Sequence, residues 1–177
     1  QRMRTVYKPL PADHQHPCAD AAYRCFCREP QTEHPMNRPL VDILHAEQLS
    51  LAVETSDGTR KRYRSRGVSD LYRLLTAEPA ILNRASVADK VVGKGAAALM
   101  ALGNVSEVWA DTISRSGLAV LRQAGIHVEY TTLVPYIINR RGDGICPVEQ
   151  LCADCSSPDE CLPLIAEFLS NQKSLYT

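Results

Sequence analysis

Between Pro39 and Phe168 the apolar residues fall into short blocks whose spacing changes from one block to the next. Leu40, Ile43 and Leu44 recur at helical intervals and predict a short helix over Pro39–Gln48. Leu49–Glu54 alternates, Ser56, Asp57 and Gly58 supply a turn, and a second alternating stretch runs through Arg66, so residues 49–66 are expected to pair as a β-hairpin. Ser69 is placed to cap a helix through Leu75 that stops near Pro79. Val87–Leu102 reads as one helix, charged at its head and then almost wholly apolar and alanine-rich, which predicts a buried central element. A strand over Val105–Ala110, a helix over Arg115–Gln123 closed by Gly125, and a strand over Ile126–Val134 continue the alternation. Pro147 and Pro158 each stand where a helix would begin, one short and one longer, ahead of the polar tail Asn171–Thr177. A hairpin followed by alternating helices and strands predicts an α/β fold with a mixed central sheet and helices on both faces.

Residues 1–35 lack either period. They carry five prolines, the histidines His14, His16 and His34, and the cysteines Cys18, Cys25 and Cys27. The division is therefore an irregular extension over 1–35 and an α/β domain over 36–177 with a cysteine-rich helical end. Lys plus Arg number 20 and Asp plus Glu 20, so general attraction to nucleic acid or to an anionic membrane has no support and any anion site must be local. No apolar run approaches the roughly 20 residues that span a bilayer, and no signal-peptide core opens the chain, so a soluble cytoplasmic protein is expected. Its seven cysteines are then expected as free thiols, metal ligands or a reactive residue rather than as a complete disulfide framework.

Local chemistry concentrates in two places. If 87–102 is one helix, Lys90 and Lys94 share a face near its start beside Asp89, where free N–H groups favour a phosphate or carboxylate. Gly93 and Gly95 would let a ligand approach; equally, they would let another backbone pack closely while the lysines are solvated or pair with Asp89. Cys146 precedes Pro147 and is the expected N-cap of a helix with Glu149 at its third position, a variant capping box. A thiol there favours the thiolate unless Glu149 cancels the effect, which suits Cys146 as nucleophile with Glu149 as acid/base group and Asp89 as a further candidate catalytic residue; the alternative is a small buried cap. Asp111, Thr112 and Ser114 follow a strand and so lie at the carboxyl edge where α/β sheets bind ligands, or else cap the next helix.

The spacing Cys146-x5-Cys152-x2-Cys155-x5-Cys161 offers sulfur ligands for zinc or an iron–sulfur cluster, against separate free thiols. In the last helix Ser157 is the expected cap with Glu160 at its third position. Arg60, Arg62, Arg64 and Arg66 alternate and should project from one solvated strand face with Glu54 across the hairpin. Arg141-Gly142-Asp143 reads as a turn, and Trp109 and Tyr130 as strand residues of the core.

The words RGVSDLYRLL, VADKVVGKGAAALMALG, VWADTIS and INRRGDGICPVEQLC resemble DUF1893, an uncharacterised bacterial family, over Met36 to about Phe168. The resemblance implies a three-layer cytidine-deaminase-like fold. Deaminases of that fold hold zinc with His or Cys near the start of one core helix and a Pro-Cys-x-x-Cys at the start of the next. Val87–Lys90 and Thr112–Gly117, taken as the corresponding positions, contain neither residue type, so no zinc is expected there and no deamination of cytidine, adenosine or guanine. His45-Ala46-Glu47 spells the deaminase tripeptide but precedes the hairpin, outside the metal's place in the fold. Three readings of function follow: a binding protein or Cys-based enzyme for a small anionic metabolite, a metal or redox module on the C-terminal cysteines, and a non-catalytic interaction protein.

Overall fold

A computed structural model describes residues 38–65 and 67–174. The extension 1–35 with its histidines and cysteines, and the Arg66 position, lie outside the described residues. Among the described residues five strands form one mixed sheet in the order β2-β1-β3-β4-β5: β1 (Leu51–Glu54), β2 (Arg60–Tyr63), β3 (Ser86–Val92), β4 (Glu107–Ser114) and β5 (His127–Val134). Strand β1 pairs antiparallel with both β2 and β3, while β3, β4 and β5 run parallel. Among the described residues six α-helices accompany it: α1 (Arg38–Ala46), α2 (Ser69–Ala77), α3 (Lys94–Leu102), α4 (Arg115–Gln123), α5 (Pro147–Leu151) and α6 (Pro158–Ser174).

The two faces of the sheet bury different sets of side chains, as the two-residue period of strands requires. Ala52 and Ala88 face Leu40, Leu44 and Leu49, with Trp109 packed alongside, so among the described residues α1 covers this side near β1 and β3. Leu51, Val53, Val87, Val108 and Ala110 enter the larger core, which α2 to α6 close with Leu71, Leu74, Leu118, Leu121, Val148 and Ile165. Helix α3 is its centre: Gly95 through Met100 are all buried, and α3 touches α2, α4, α5 and α6. Small side chains make this possible, because Ala96, Ala97 and Ala98 let four helices pack against one.

The largest departure from the sequence reading is at residues 86–102. Ser86–Val92 is a strand and the helix begins only at Lys94. Val87, Val91 and Val92 are β-branched residues that favour a strand, whereas Asp89 and Lys90 between them break the apolar–polar alternation by which a strand is read. Gly93 is the N-cap of α3 and Gly95 lies in its first turn, marking the break rather than interrupting a helix. Strand β4 also extends past Ala110 to Ser114, so Asp111, Thr112 and Ser114 belong to the strand itself. The hairpin forms with Glu54 opposite Arg60, and Gly58 supplies the positive φ of its turn, but β2 ends at Tyr63. Val68, not Ser69, occupies the N-cap of α2.

Candidate functional site

Strands β3 and β4 both end at one edge of the sheet, and each turns directly into a helix. Gly117 sets the distance between those turns: a Cβ on it would stand 3.0 Å from the Val92 carbonyl oxygen and 3.1 Å from the Gly93 carbonyl carbon. The first turn of α4 thus rests on the backbone that starts α3. Ser114 caps α4, its Oγ accepting from the Gly117 N–H at 3.0 Å. Helix α3 has no such cap from its own turn, since Gly93 carries no side chain.

Its cap comes from elsewhere in the chain. The Glu149 carboxylate on α5 accepts the Lys94 N–H at Oε2 (2.7 Å) and the Ser116 hydroxyl at Oε1 (2.7 Å). Ser116 Oγ lies 3.0 Å from Ser114 Oγ, so one network joins the starts of α3, α4 and α5. Glu149 is 6% exposed and Ser114 fully buried. A buried carboxylate is tolerable here because N–H and O–H donors converge on it and two helix starts supply positive potential. A Cβ on Gly93 would land on Glu149 Oε2 and stand 3.2 Å from Ile137 Cγ1; one on Gly95 would land on Val148 Cγ1. Both glycines are therefore spaces into which α5 and its carboxylate fit.

Lys94 grips the far end of the same short helix. Its Nζ donates to the carbonyl oxygens of Ala153 (2.7 Å) and Cys155 (2.8 Å), at the C-terminal exit of α5 where a cation is favoured. Glu149 and Lys94 thus meet, but not as two groups lining one cavity: the backbone of Lys94 binds the carboxylate and its ammonium binds carbonyls. Cys146 is the N-cap of α5 as expected, yet its side chain makes no capping bond and packs half-buried against the core. The capping box does not form, because Glu149 turns to α3 and α4. In α6 the Glu160 carboxylate accepts the Ser156 N–H at 2.7 Å.

Asp89 and Lys90 are separated from this network. They lie in β3 with Asp89 opposite Leu51 and Ala110, so the shared helix face expected for Lys90 and Lys94 does not exist. The Lys90 N–H donates to the Ser50 carbonyl at 3.1 Å. Asp89 Oδ1 accepts from the Val91 N–H at 2.9 Å, and burial, with a smaller push from the charge of Asp111, raises its pKa to about 7. Asp111 in turn pairs with His45 of α1, Nε2 to Oδ1 2.8 Å, and the imidazole stands edge-on to Trp109 with centroids 5.3 Å apart. Thr112 is half-buried between Val91 and Thr132 in the sheet register. Sequence reasoning set His45 aside and passed over Ser116 and Gly117; a Ser-x-Ser-Gly run directly after a strand was the available sign.

Among the described residues no group of three or more His, Cys, Asp or Glu side chains is disposed to hold a metal ion, the four C-terminal cysteines included. Burial raises the thiol pKa of Cys152 and, more strongly, of Cys161, to which the neighbouring Cys152 adds. Arg60 pairs with Glu54, and Arg62 and Arg64 with Glu47, as a solvated face would. In the Arg-Gly-Asp segment Asn139 Nδ2 holds Asp143 at 2.8 Å and Gly142 has φ +75°, the expected turn. Trp109 and Tyr130 each pack against a core cluster. No described helix is long and apolar enough to cross a membrane.

Residues 39–169 match the domain of unknown function DUF1893. The chain belongs to that family. A DUF1893 protein from Thermotoga maritima (TM1506), known from its crystal structure, is similar with TM-score 0.68 and 23% sequence identity over 76% of this chain and 90% of that one, a likeness of fold. No curated protein matches this DUF1893 chain.

Proposed function

We propose that this DUF1893 protein is a deaminase-like scaffold without zinc chemistry, whose paired helix starts form a cradle for a carboxylate or phosphate of a small anionic molecule. The observation that carries this reading is the convergence of the Lys94 N–H and the Ser116 hydroxyl on one buried carboxylate, Glu149. The cradle selects anions, and the chain's own glutamate is the anion it holds. Support for the deaminase-like arrangement is the order of helix, hairpin, helix, then three parallel strands with a helix after each of the first two. In that arrangement the metal ligands would come from the starts of α3 and α4. Here those are Gly93-Lys94-Gly95 and Ser114-Arg115-Ser116-Gly117, which offer no imidazole or thiolate, so the donor set does not fit zinc.

The geometry favours binding over Cys-based catalysis. Glu149, the expected acid/base partner of Cys146, is committed to two hydrogen bonds elsewhere. A small anion would enter by taking over the donors that Glu149 uses, with α5 giving way. The test is thermal unfolding of Glu149→Ala and of the parent chain with acetate and with inorganic phosphate. Acetate or phosphate should raise the midpoint of Glu149→Ala by several degrees more than that of the parent. Equal shifts in both proteins would remove the anion cradle from consideration.

A non-catalytic interaction protein is the second reading. It draws on the exposed apolar side chains Tyr136, Ile138, Ile145 and Leu151, which follow β5 in the chain.

A further inference from the structure

The cysteines of the α5–α6 junction lie outside the anion network and have a geometry of their own. Cys152 ends α5, Cys155 follows it with its N–H on the Cys152 carbonyl at 3.1 Å, and Cys161 lies in the opening turns of α6. The Cys161 thiol is in side-chain contact with both Cys155 and Cys152, and its Sγ points along the helix to the Ser157 carbonyl at 3.7 Å. Burial sorts the three: Cys152 and Cys161 are 0% and 1% exposed, whereas Cys155 is partly open to solvent. An attackable sulfur thus stands against a shielded one, the pairing used when a first thiol is modified and a second resolves it.

We propose that Cys155 and Cys161 form a thiol–disulfide redox site whose co-substrate is a small-molecule disulfide. The Cys155 thiolate attacks one sulfur of the disulfide; a mixed disulfide forms on Cys155 and one small thiolate leaves. Cys161 then attacks Cys155 Sγ as the departing small thiolate takes up its proton, forming the Cys155–Cys161 bond and releasing the second small thiol. Two protein thiols are oxidised and one disulfide is reduced to two thiols. The new bond ties the exit of α5, where Lys94 holds the Cys155 carbonyl, to the first turns of α6. The proposal stands independently of the anion cradle.

The experiment treats the reduced full chain with oxidised glutathione, alkylates the remaining thiols, and digests with a protease that cleaves before aspartate. Asp154 and Asp159 place Cys155 and Cys161 on separate peptides, both distinct from the peptide carrying Cys146 and Cys152. The expected product is the Cys155 peptide linked to the Cys161 peptide. Cys161→Ser should instead retain a glutathione adduct on Cys155, and Cys155→Ser should leave Cys161 alkylated. Full alkylation of both cysteines after oxidation, an adduct on Cys155 equally abundant with and without Cys161, or a link from Cys155 to any other cysteine would each overturn the assignment.

Discussion

Glu149 caps the helix that begins at Lys94, its carboxylate 2.7 Å from a backbone N–H that lies 55 positions earlier in the chain. Most helices take this bond from a residue in their own first turn. Here the capping side chain comes from the C-terminal third of the protein, and Gly93 leaves the space for it.

Removing that carboxylate should be costly. Glu149→Ala loses two charge-assisted hydrogen bonds and leaves a void between helix starts, an expected loss of about 2–4 kcal/mol. Glu149→Gln keeps an acceptor for the Lys94 N–H and should lose about half as much. Urea unfolding of both variants checks the ranking, and a Gln variant as unstable as the Ala variant would mean that charge, not shape, dominates.

Gly93→Ala tests the same contact from the other side. The added methyl occupies the position of Glu149 Oε2, so it should cost roughly as much as Glu149→Ala, about 2–4 kcal/mol. In the double variant the methyl enters space that the carboxylate has vacated. The two losses should therefore fall short of adding by at least about 1 kcal/mol, and simple additivity in a double-mutant cycle would contradict the packing described.

Asp89 makes stability depend on pH. Burial lifts its pKa from 3.8 to about 7, so between those values the folded protein holds a proton that the unfolded chain has released. The associated stability is full below the unfolded pKa and is lost as pH rises through about 7. Because Asp89 keeps some contact with water, the loss should be about 1–3 kcal/mol rather than the full shift. Asp89→Asn cannot ionise yet still accepts from Val91. Its stability relative to the parent should rise between pH 5 and pH 8, and a constant difference across that range would rule out the buried acid.

Lys94→Met keeps the aliphatic stem and removes the ammonium from the Ala153 and Cys155 carbonyls. The expected cost is about 1–2 kcal/mol, since both acceptors lie close enough to solvent to be rehydrated. Hydrogen exchange should speed up at residues 147–155 ahead of α6. Uniform protection across both helices would show that the lysine does not hold α5.

Much of this fold was legible from local patterns. The hairpin, α4 with its Gly125 stop, β5, and the two proline-led helices all follow rules that act within a few residues. Residues 86–102 misled because Ser86–Val92 sets its apolar residues in pairs around Asp89 and Lys90 rather than alternately, and a helix signal beside it spread backwards across Gly93. The Gly93-Lys94-Gly95 punctuation held the correct boundary. For the site, residue types were informative and partners were not. Lys94, Ser114, Cys146 and Glu149 all lie near one edge, but nothing local tells Glu149 to pass over its own helix start for that of α3. Asp89 and Lys90 were grouped with Lys94 through the same misplaced helix start, and they separate once that start moves.

The long reach from Lys94 to Glu149 also sets an order of events during synthesis. A growing chain contains the residues of α3, β4, α4 and β5 before residue 149 has been made, and throughout that interval the Lys94 N–H lacks this carboxylate. Arrival of the short helix satisfies the donor and, through the Lys94 ammonium, fastens its own trailing end. The residues of the sheet are thus made before those of the latch, and a chain that stops short of Pro147 lacks the cap on Lys94.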